Sequence, residues 1–189
     1  MIEKEKFLEL CRKNISREGI EDLLAWLEKS DFFTAPASTR FHLNVEGGLA
    51  EHSMNVYKRL NELVGIVPTG SSLETLTIVS LFHDLCKVHC YKKDYRNVKE
   101  DGKWVQKEVF AHDEKFCYGG HGAKSVFIIS QFMRLTPEEA VAIHTHMGMY
   151  DRAPGDWSLG NAFEQYPLAM LLHMADEIAT RVDEKGTTV

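Results

Sequence analysis

Apolar residues recur along most of the chain at intervals of three and four, the spacing of a helix with one buried face. Two N-terminal stretches, 2–14 and 18–29, are expected to be short packing helices, the second marked by Leu23, Leu24 and Leu27. Pro36 and Gly47-Gly48 break any period over 31–48, so that segment is expected to be an ordered loop opening into a helix over about 48–64. Ser71-x-x-Glu74 reads as a capping box for a helix continuing to about Val88. A helix over about 121–134 precedes Thr136-Pro137-Glu138-Glu139, which supplies an N-cap, a first-turn proline and a capping acid for the next, ending near Gly148. Leu168, Leu171, Leu172, Ala175, Ile178, Ala179 and Val182 form a stripe that predicts one long final helix over about 161–183. The pattern changes only over 91–110, where Val98, Trp104, Val105 and Val109 flank the turn dipeptide Asp101-Gly102, as in a β-hairpin inserted between helices. The expected architecture is a single all-α domain over 1–189, a helical bundle with a small inserted hairpin.

With 189 residues and 44% hydrophobic content, the chain holds enough material for one sizeable core. A net charge of −6 argues against a broad footprint on duplex DNA or an acidic membrane, and leaves room for a small anionic substrate at a local positive site. No apolar run approaches the roughly 20 residues that span a bilayer, and the first residues alternate charged with apolar side chains, so a cytoplasmic protein is expected. Cys11, Cys86, Cys90 and Cys117 are irregularly spaced and read as reduced thiols. The run Cys86-Lys87-Val88-His89-Cys90 lacks the paired cysteine knuckles of a zinc site.

Nine histidines, most of them in or beside apolar helical segments, change the picture. The segment 74–88 is apolar around most of its circumference through Leu76, Ile78, Val79, Leu81, Phe82 and Leu85, and belongs in the bundle centre. Ser80, His83, Asp84 and Lys87 interrupt it at i, i+3, i+4 and i+7, which lines four polar groups along one face. Burying them is costly unless they are paired or hold a metal. An interior site accounts for them, and so does a buried Asp84–Lys87 ion pair beside a hydrogen-bonded core histidine. His52 shares an inward face with Leu49, Val56 and Leu60, where a satisfied core histidine is the alternative; Asp176, bracketed by Leu172 and Ala179, needs a partner in either case. His121 follows two glycines at a helix start, where the helix dipole favours a neutral ring suited to a metal, and where a surface histidine is equally at home. His144 and His146 point to nearly opposite sides of one helix, so a single site can use only one of them; His146 is the candidate and His144 the structural or surface residue.

The blocks GGLAEHSMNV around His52, LFHDLCK around His83 and Asp84, GGHGAKSV around His121, AIHTHMGMYD around His146 and LLHMADEIATR around Asp176 follow one another over about 41–181. Together they resemble the HD superfamily of metal-dependent phosphohydrolases. The chain is similar to the HD domain of bacterial 3′-to-5′ exoribonucleases, which share the lead-in before the first ligand, and more similar to stand-alone bacterial and phage HD proteins carrying the same hairpin. No oligonucleotide-binding OB segment is read in the chain, so a processive ribonuclease is not expected.

The resemblance implies an HD-domain bundle with one or two divalent metal ions, of Mn, Fe, Co, Ni or Zn character. His52, His83, Asp84 and Asp176 would hold the first ion, and Asp84 as a bridge with His121 and His146 the second. A water activated by the metals would attack the phosphoester. Asp84 and Lys87 are then the catalytic candidates, with Lys87 neutralising phosphoryl charge and His42 contacting substrate phosphate. The helices bearing these residues are expected to converge on one interior pocket with the hairpin at its rim. The partner is expected to be a small phosphorylated molecule of nucleotide type, with short single-stranded nucleic acid as the larger option; oligomeric state is not read from the sequence. Two other functions share the ligand set: a di-iron oxygenase using O₂, discriminated by iron content and O₂ uptake, and a non-catalytic nucleotide-binding module, discriminated by metal-free binding without turnover.

Overall fold

The computed structural model describes residues 4–100, 102–153 and 156–185. Among them are eight α-helices and one two-stranded sheet, the mostly helical fold with an inserted hairpin that the periodicity predicts. The N-terminal pair is α1 (Lys4–Asn14) and α2 (Ile20–Lys29), followed by α3 (Gly48–Ile66) and α4 (Leu73–Phe82). The hairpin strands β1 (Tyr91–Glu100) and β2 (Lys103–His112) separate these from α5 (His121–Ile129), α6 (Pro137–Thr145), α7 (Ser158–Gln165) and α8 (Pro167–Ile178). α3 packs on α4 and α8, and α6 on α5 and α8, so α8 forms the spine against which the site-bearing helices lie. The core runs through Leu23, Leu24, Leu27, Leu49, Leu60, Leu81 and Leu172, and Phe7 packs its ring 5.2 Å from Phe32 and 6.4 Å from Phe82. No helix among the described residues is long and apolar enough to cross a membrane.

Several helix boundaries differ from the sequence expectation, each for a local reason. The cap of α4 is Ser72, whose side chain accepts from the Thr75 amide, while Ser71 turns its hydroxyl to Glu138 and Glu74 is drawn away to the Ser16 amide and Arg17. α4 ends at Phe82 instead of near Val88: the buried His83 ring takes up the Ser80 carbonyl that a continuing helix would use, and Leu85–Lys87 closes as a 3₁₀ turn. α5 stops at Ile129, short of Arg134. The long final helix is two helices, since the residue before Pro167 is excluded from the α region and Tyr166 sits at φ −130°. Beyond Ile178 the chain widens into a π turn, Ala179–Asp183.

The Thr136 capping box forms as expected, and its acid has a second role. Glu139 is fully buried, accepts from the Thr136 amide (2.8 Å) and Thr75 hydroxyl (3.0 Å), and pairs with Arg17 in the turn between α1 and α2 (2.5 Å). It ties the N-terminal pair to the bundle. Glu139→Ala is expected to cost about 3 kcal/mol in denaturant melts, because it removes the cap and leaves the Arg17 guanidinium without its buried partner; Glu139→Gln, which keeps the amide contacts, should cost less.

Two glycines set the approach of site-bearing segments. A Cβ on Gly48 would lie 2.2 Å from the Leu43 carbonyl oxygen, and one on Gly122 would lie 2.2 Å from that of His144. Only glycine lets α3 start beneath the preceding loop and α5 press on α6.

The hairpin pairs Tyr91 with His112 and Glu100 with Lys103 in unbroken antiparallel register, with Gly102 at φ +81° in the turn; the Asp101 of the expected turn dipeptide lies outside the described residues. Only its base meets the expected rim position. Tyr91 packs against the core near Lys87 and Asp84, whereas the body of the hairpin lines a separate cleft with the loop before α3.

Candidate metal centre

Two histidines are placed by the same local device. His83 caps the C-terminus of α4 and His146 that of α6. Each ring folds back so that Nδ1 donates to the carbonyl three residues earlier, Ser80 at 2.8 Å and Ile143 at 2.6 Å. A carbonyl only accepts, so the proton is on Nδ1 and Nε2 presents its lone pair away from the helix. Both rings also sit at helix C-termini, where the partial negative charge of the carbonyls favours a cation.

His52, in the second turn of α3, is oriented by a carboxylate instead. Its Nδ1 lies 3.1 Å from Glu184 Oε1, an oxygen that also accepts from Asn55 at 2.9 Å. The π turn delivers Glu184 there, with its amide bonded to the Ala179 carbonyl at 3.0 Å. On the inner side, His52 Nε2 is 3.3 Å from His83 Nε2, 3.1 Å from Asp176 Oδ1 and 3.6 Å from Asp84 Oδ2. Asp84 completes the centre: Lys87 Nζ lies 2.6 Å from Oδ2, and His146 Nε2 lies 3.4 Å from Oδ1. That contact does not have hydrogen-bond geometry, and the fully buried His146 Nε2 has no hydrogen-bond partner among the described residues.

Ligand atoms of His52, His83 and Asp84 all lie within 4.8 Å of one another, as do those of His83, His146 and Asp176. These buried clusters are able to hold a metal ion. The inward ring nitrogens and two carboxylates, with an orphaned Nε2 among them, make a nitrogen–oxygen donor set of the kind first-row divalent ions take. Each histidine is braced through its other nitrogen by a carbonyl or carboxylate, as ligating histidines are. All four cysteines are free thiols and none belongs to these groups.

The electrostatics point the same way. Burial holds the His83 ring neutral, down to about 4. Burial opposes ionisation of Asp84, but Lys87, His83 and His146 outweigh it and keep the carboxyl well below its usual range. Burial likewise opposes charge on His52, yet its bonds to Asp176 and Glu184 lift it to about 10. The carboxylates around His52 thus call for a positive charge at that ring, as a proton or as a metal ion, and metal capture there releases the proton.

The structure gathers His52, His83, Asp84, His146 and Asp176, with Lys87 bonded to the cluster. His42 stands beside it, its ring 4.8 Å from that of His52 and its Nε2 3.9 Å from Glu184 Oε2; burial, with the His52 and Lys87 charges, holds it at about 4. His121 is not in the cluster: at the head of α5 its half-exposed ring faces Asp151, Nδ1 to Oδ1 3.8 Å. His144 lies on the other side of α6, along an apolar groove with Tyr118 and Phe127. Glu184 was missed by the sequence reading, although Asp176, Thr180 and Glu184 at i, i+4 and i+8 continue one helical face. A cavity of about 710 Å³ opens over the cluster, bounded by Phe41, His42, Lys87, Tyr150, Thr180 and Arg181.

A dihydroneopterin 2′,3′-cyclic phosphate phosphodiesterase of Methanocaldococcus jannaschii is 26% identical to this chain over 160 residues, 82% of the chain. The chain spans 55% of the length of that relative. No family model and no solved structure matches.

Proposed function

We propose that this chain is an HD-superfamily phosphohydrolase that cleaves a phosphoester of a small phosphorylated substrate, of nucleotide type, with one or two divalent ions held by the buried cluster. The observation that carries this reading is the convergence of three braced imidazoles and two carboxylates beside a cavity with a half-buried lysine on its wall. The distant phosphodiesterase relative supports the reaction class.

His52, His83, Asp84 and Asp176 are assigned to the first ion. Asp84 with His146 would serve a second, which His121 joins only if its ring turns from Asp151 toward the cluster. A bound divalent ion supplies Lewis acidity at the phosphoryl group and lowers the pKa of water. Lys87, whose charge is held on by Asp84 against burial, stands at the cavity to offset phosphoryl charge. His42 is neutral and half-buried on the same wall, so one ring nitrogen donates a hydrogen bond to a phosphate oxygen without adding charge.

The test is turnover of a phosphodiester, a phosphomonoester, and cyclic and linear nucleotides by protein loaded with each of Mn, Fe, Co, Ni and Zn. Hydrolysis that a chelator abolishes and one of these ions restores is expected. No turnover of any phosphoester with any ion would overturn the reading, and iron-dependent O₂ uptake in its place would move the centre to oxidative chemistry.

A further inference from the structure

Beside the two ligand groups of the buried centre lies a third, in which donor atoms of His42, His52 and Glu184 fall within 4.8 Å of one another. Both nitrogens of His52 are already committed. Its Nδ1 donates to Glu184, 3.1 Å from Oε1 and 3.2 Å from Oε2, and its Nε2 turns inward to Asp176 and Asp84. The pair left to act together is His42 and the Glu184 carboxylate.

His42 Nε2 lies 3.9 Å from Glu184 Oε2. That is too long for a hydrogen bond, and within the span of about 4.2 Å that two donors, each about 2.1 Å from one ion, can reach. Both ring nitrogens of His42 are shielded from solvent, and neither has a hydrogen-bond partner among the described residues. A neutral imidazole has one proton, so one nitrogen is a bare lone pair. With that lone pair on Nε2, two acceptors face each other, an arrangement that a cation between them relieves.

Both donors are held in place. The Ser38 hydroxyl donates to the His42 carbonyl and accepts from the Phe41 amide, each at 2.9 Å, and Leu43 turns the loop at φ +42°. Glu184, 3% exposed, is fixed by Asn55 at 2.9 Å and by its own amide in the π turn. Both residues line the cavity that Lys87 also lines, and the lysine ammonium is committed to Asp84 at 2.6 Å.

We propose that His42 Nε2 and Glu184 Oε2 hold a further divalent cation, of manganese character, which enters the cavity together with a phosphate group. One imidazole and one carboxylate suit such an ion, and two protein donors leave its remaining positions to phosphate oxygens and water. It sits on the Nδ1 side of His52, away from Asp84, and is therefore distinct from the ions of the cluster. With Nε2 on the ion, the His42 proton is on Nδ1, which keeps the phosphate contact assigned to it. The site stands on His42 and Glu184; that the phosphate is the substrate's rests on the phosphoesterase reading above.

The test is manganese binding to the whole protein with and without inorganic phosphate, counted from the electron paramagnetic resonance signal of the free ion. Phosphate should add an equivalent of manganese, tightened by about tenfold, and manganese should tighten phosphate by the same factor. His42→Ala should lose that equivalent and keep the ions of the cluster. His42→Glu, which returns an oxygen donor, should regain it. Asp84→Asn should do the opposite of His42→Ala, losing cluster ions and keeping the phosphate-dependent one. Phosphate that adds no manganese to the wild type, or adds as much to His42→Ala, overturns the proposal. An equivalent that disappears in Asp84→Asn also overturns it and places the ion in the cluster. The expected binding pattern without hydrolysis of any phosphoester leaves this site standing and fails the catalytic reading alone.

Discussion

Asp84→Asn is expected to strip the centre of metal and to lower phosphoester turnover by about a thousandfold or more. The carboxylate lies 3.5–3.6 Å from the inward nitrogens of His83 and His52 and 3.4 Å from that of His146, so it reaches ring nitrogens of both ligand clusters, which share His83. The amide has the same shape, carries no charge, and turns an NH₂ toward either a ring nitrogen or Lys87. Occupancy measured by mass spectrometry should show a second ion leaving before the first. Because the half-buried Lys87 would be left beside a neutral amide, the melting temperature should also fall, and the double variant Asp84→Asn/Lys87→Met should recover it without recovering metal. Full metal content with full activity in Asp84→Asn would overturn the two-cluster assignment.

Lys87→Met is expected to separate the two properties. Its ammonium is 2.6 Å from Asp84 Oδ2, and it repels a cation as much as it steadies the ligand. Removing it leaves the Asp84 charge uncompensated and free for a cation, so metal should be held as tightly as before or more tightly. Turnover should still fall by about 10²–10³-fold, the loss seen when a group aimed at developing negative charge is removed. Metal analysis beside steady-state rates checks both halves; a variant that loses its metal would make the lysine a support for ligand geometry instead.

The bundle and much of the cluster were readable in the sequence because burial leaves a periodic trace. Polar groups at Ser80, His83, Asp84 and Lys87 stood out against an apolar helix, and the Thr136 box announced α6 as the structure has it. Glu184 was hidden because it lies in a polar run after the last apolar stripe, where only the π turn and the His52 ring give it meaning. The break at Tyr166-Pro167 did have a local signal, the proline itself, which the apolar stripe on both sides masked. The end of α4 had none: it depends on the His83 ring competing for the Ser80 carbonyl, a contest decided by burial in three dimensions. The hairpin was readable as a hairpin, but its place beside the loop 39–44 depends on how the chain leaves the 3₁₀ turn at Lys87, which no periodicity records.

The clustered residues sit at positions 52, 83, 84, 146 and 176, on or at the ends of α3, α4, α6 and α8. During translation the donor set is therefore incomplete until Asp176 has left the ribosome. Joining segments so distant in sequence carries a loop-closure cost that packing of α8 must meet first. For the proposed metal-loaded protein, ion capture would follow the completion of folding, and a chelator added during refolding should leave the rate of helix packing unchanged while removing the last gain in stability.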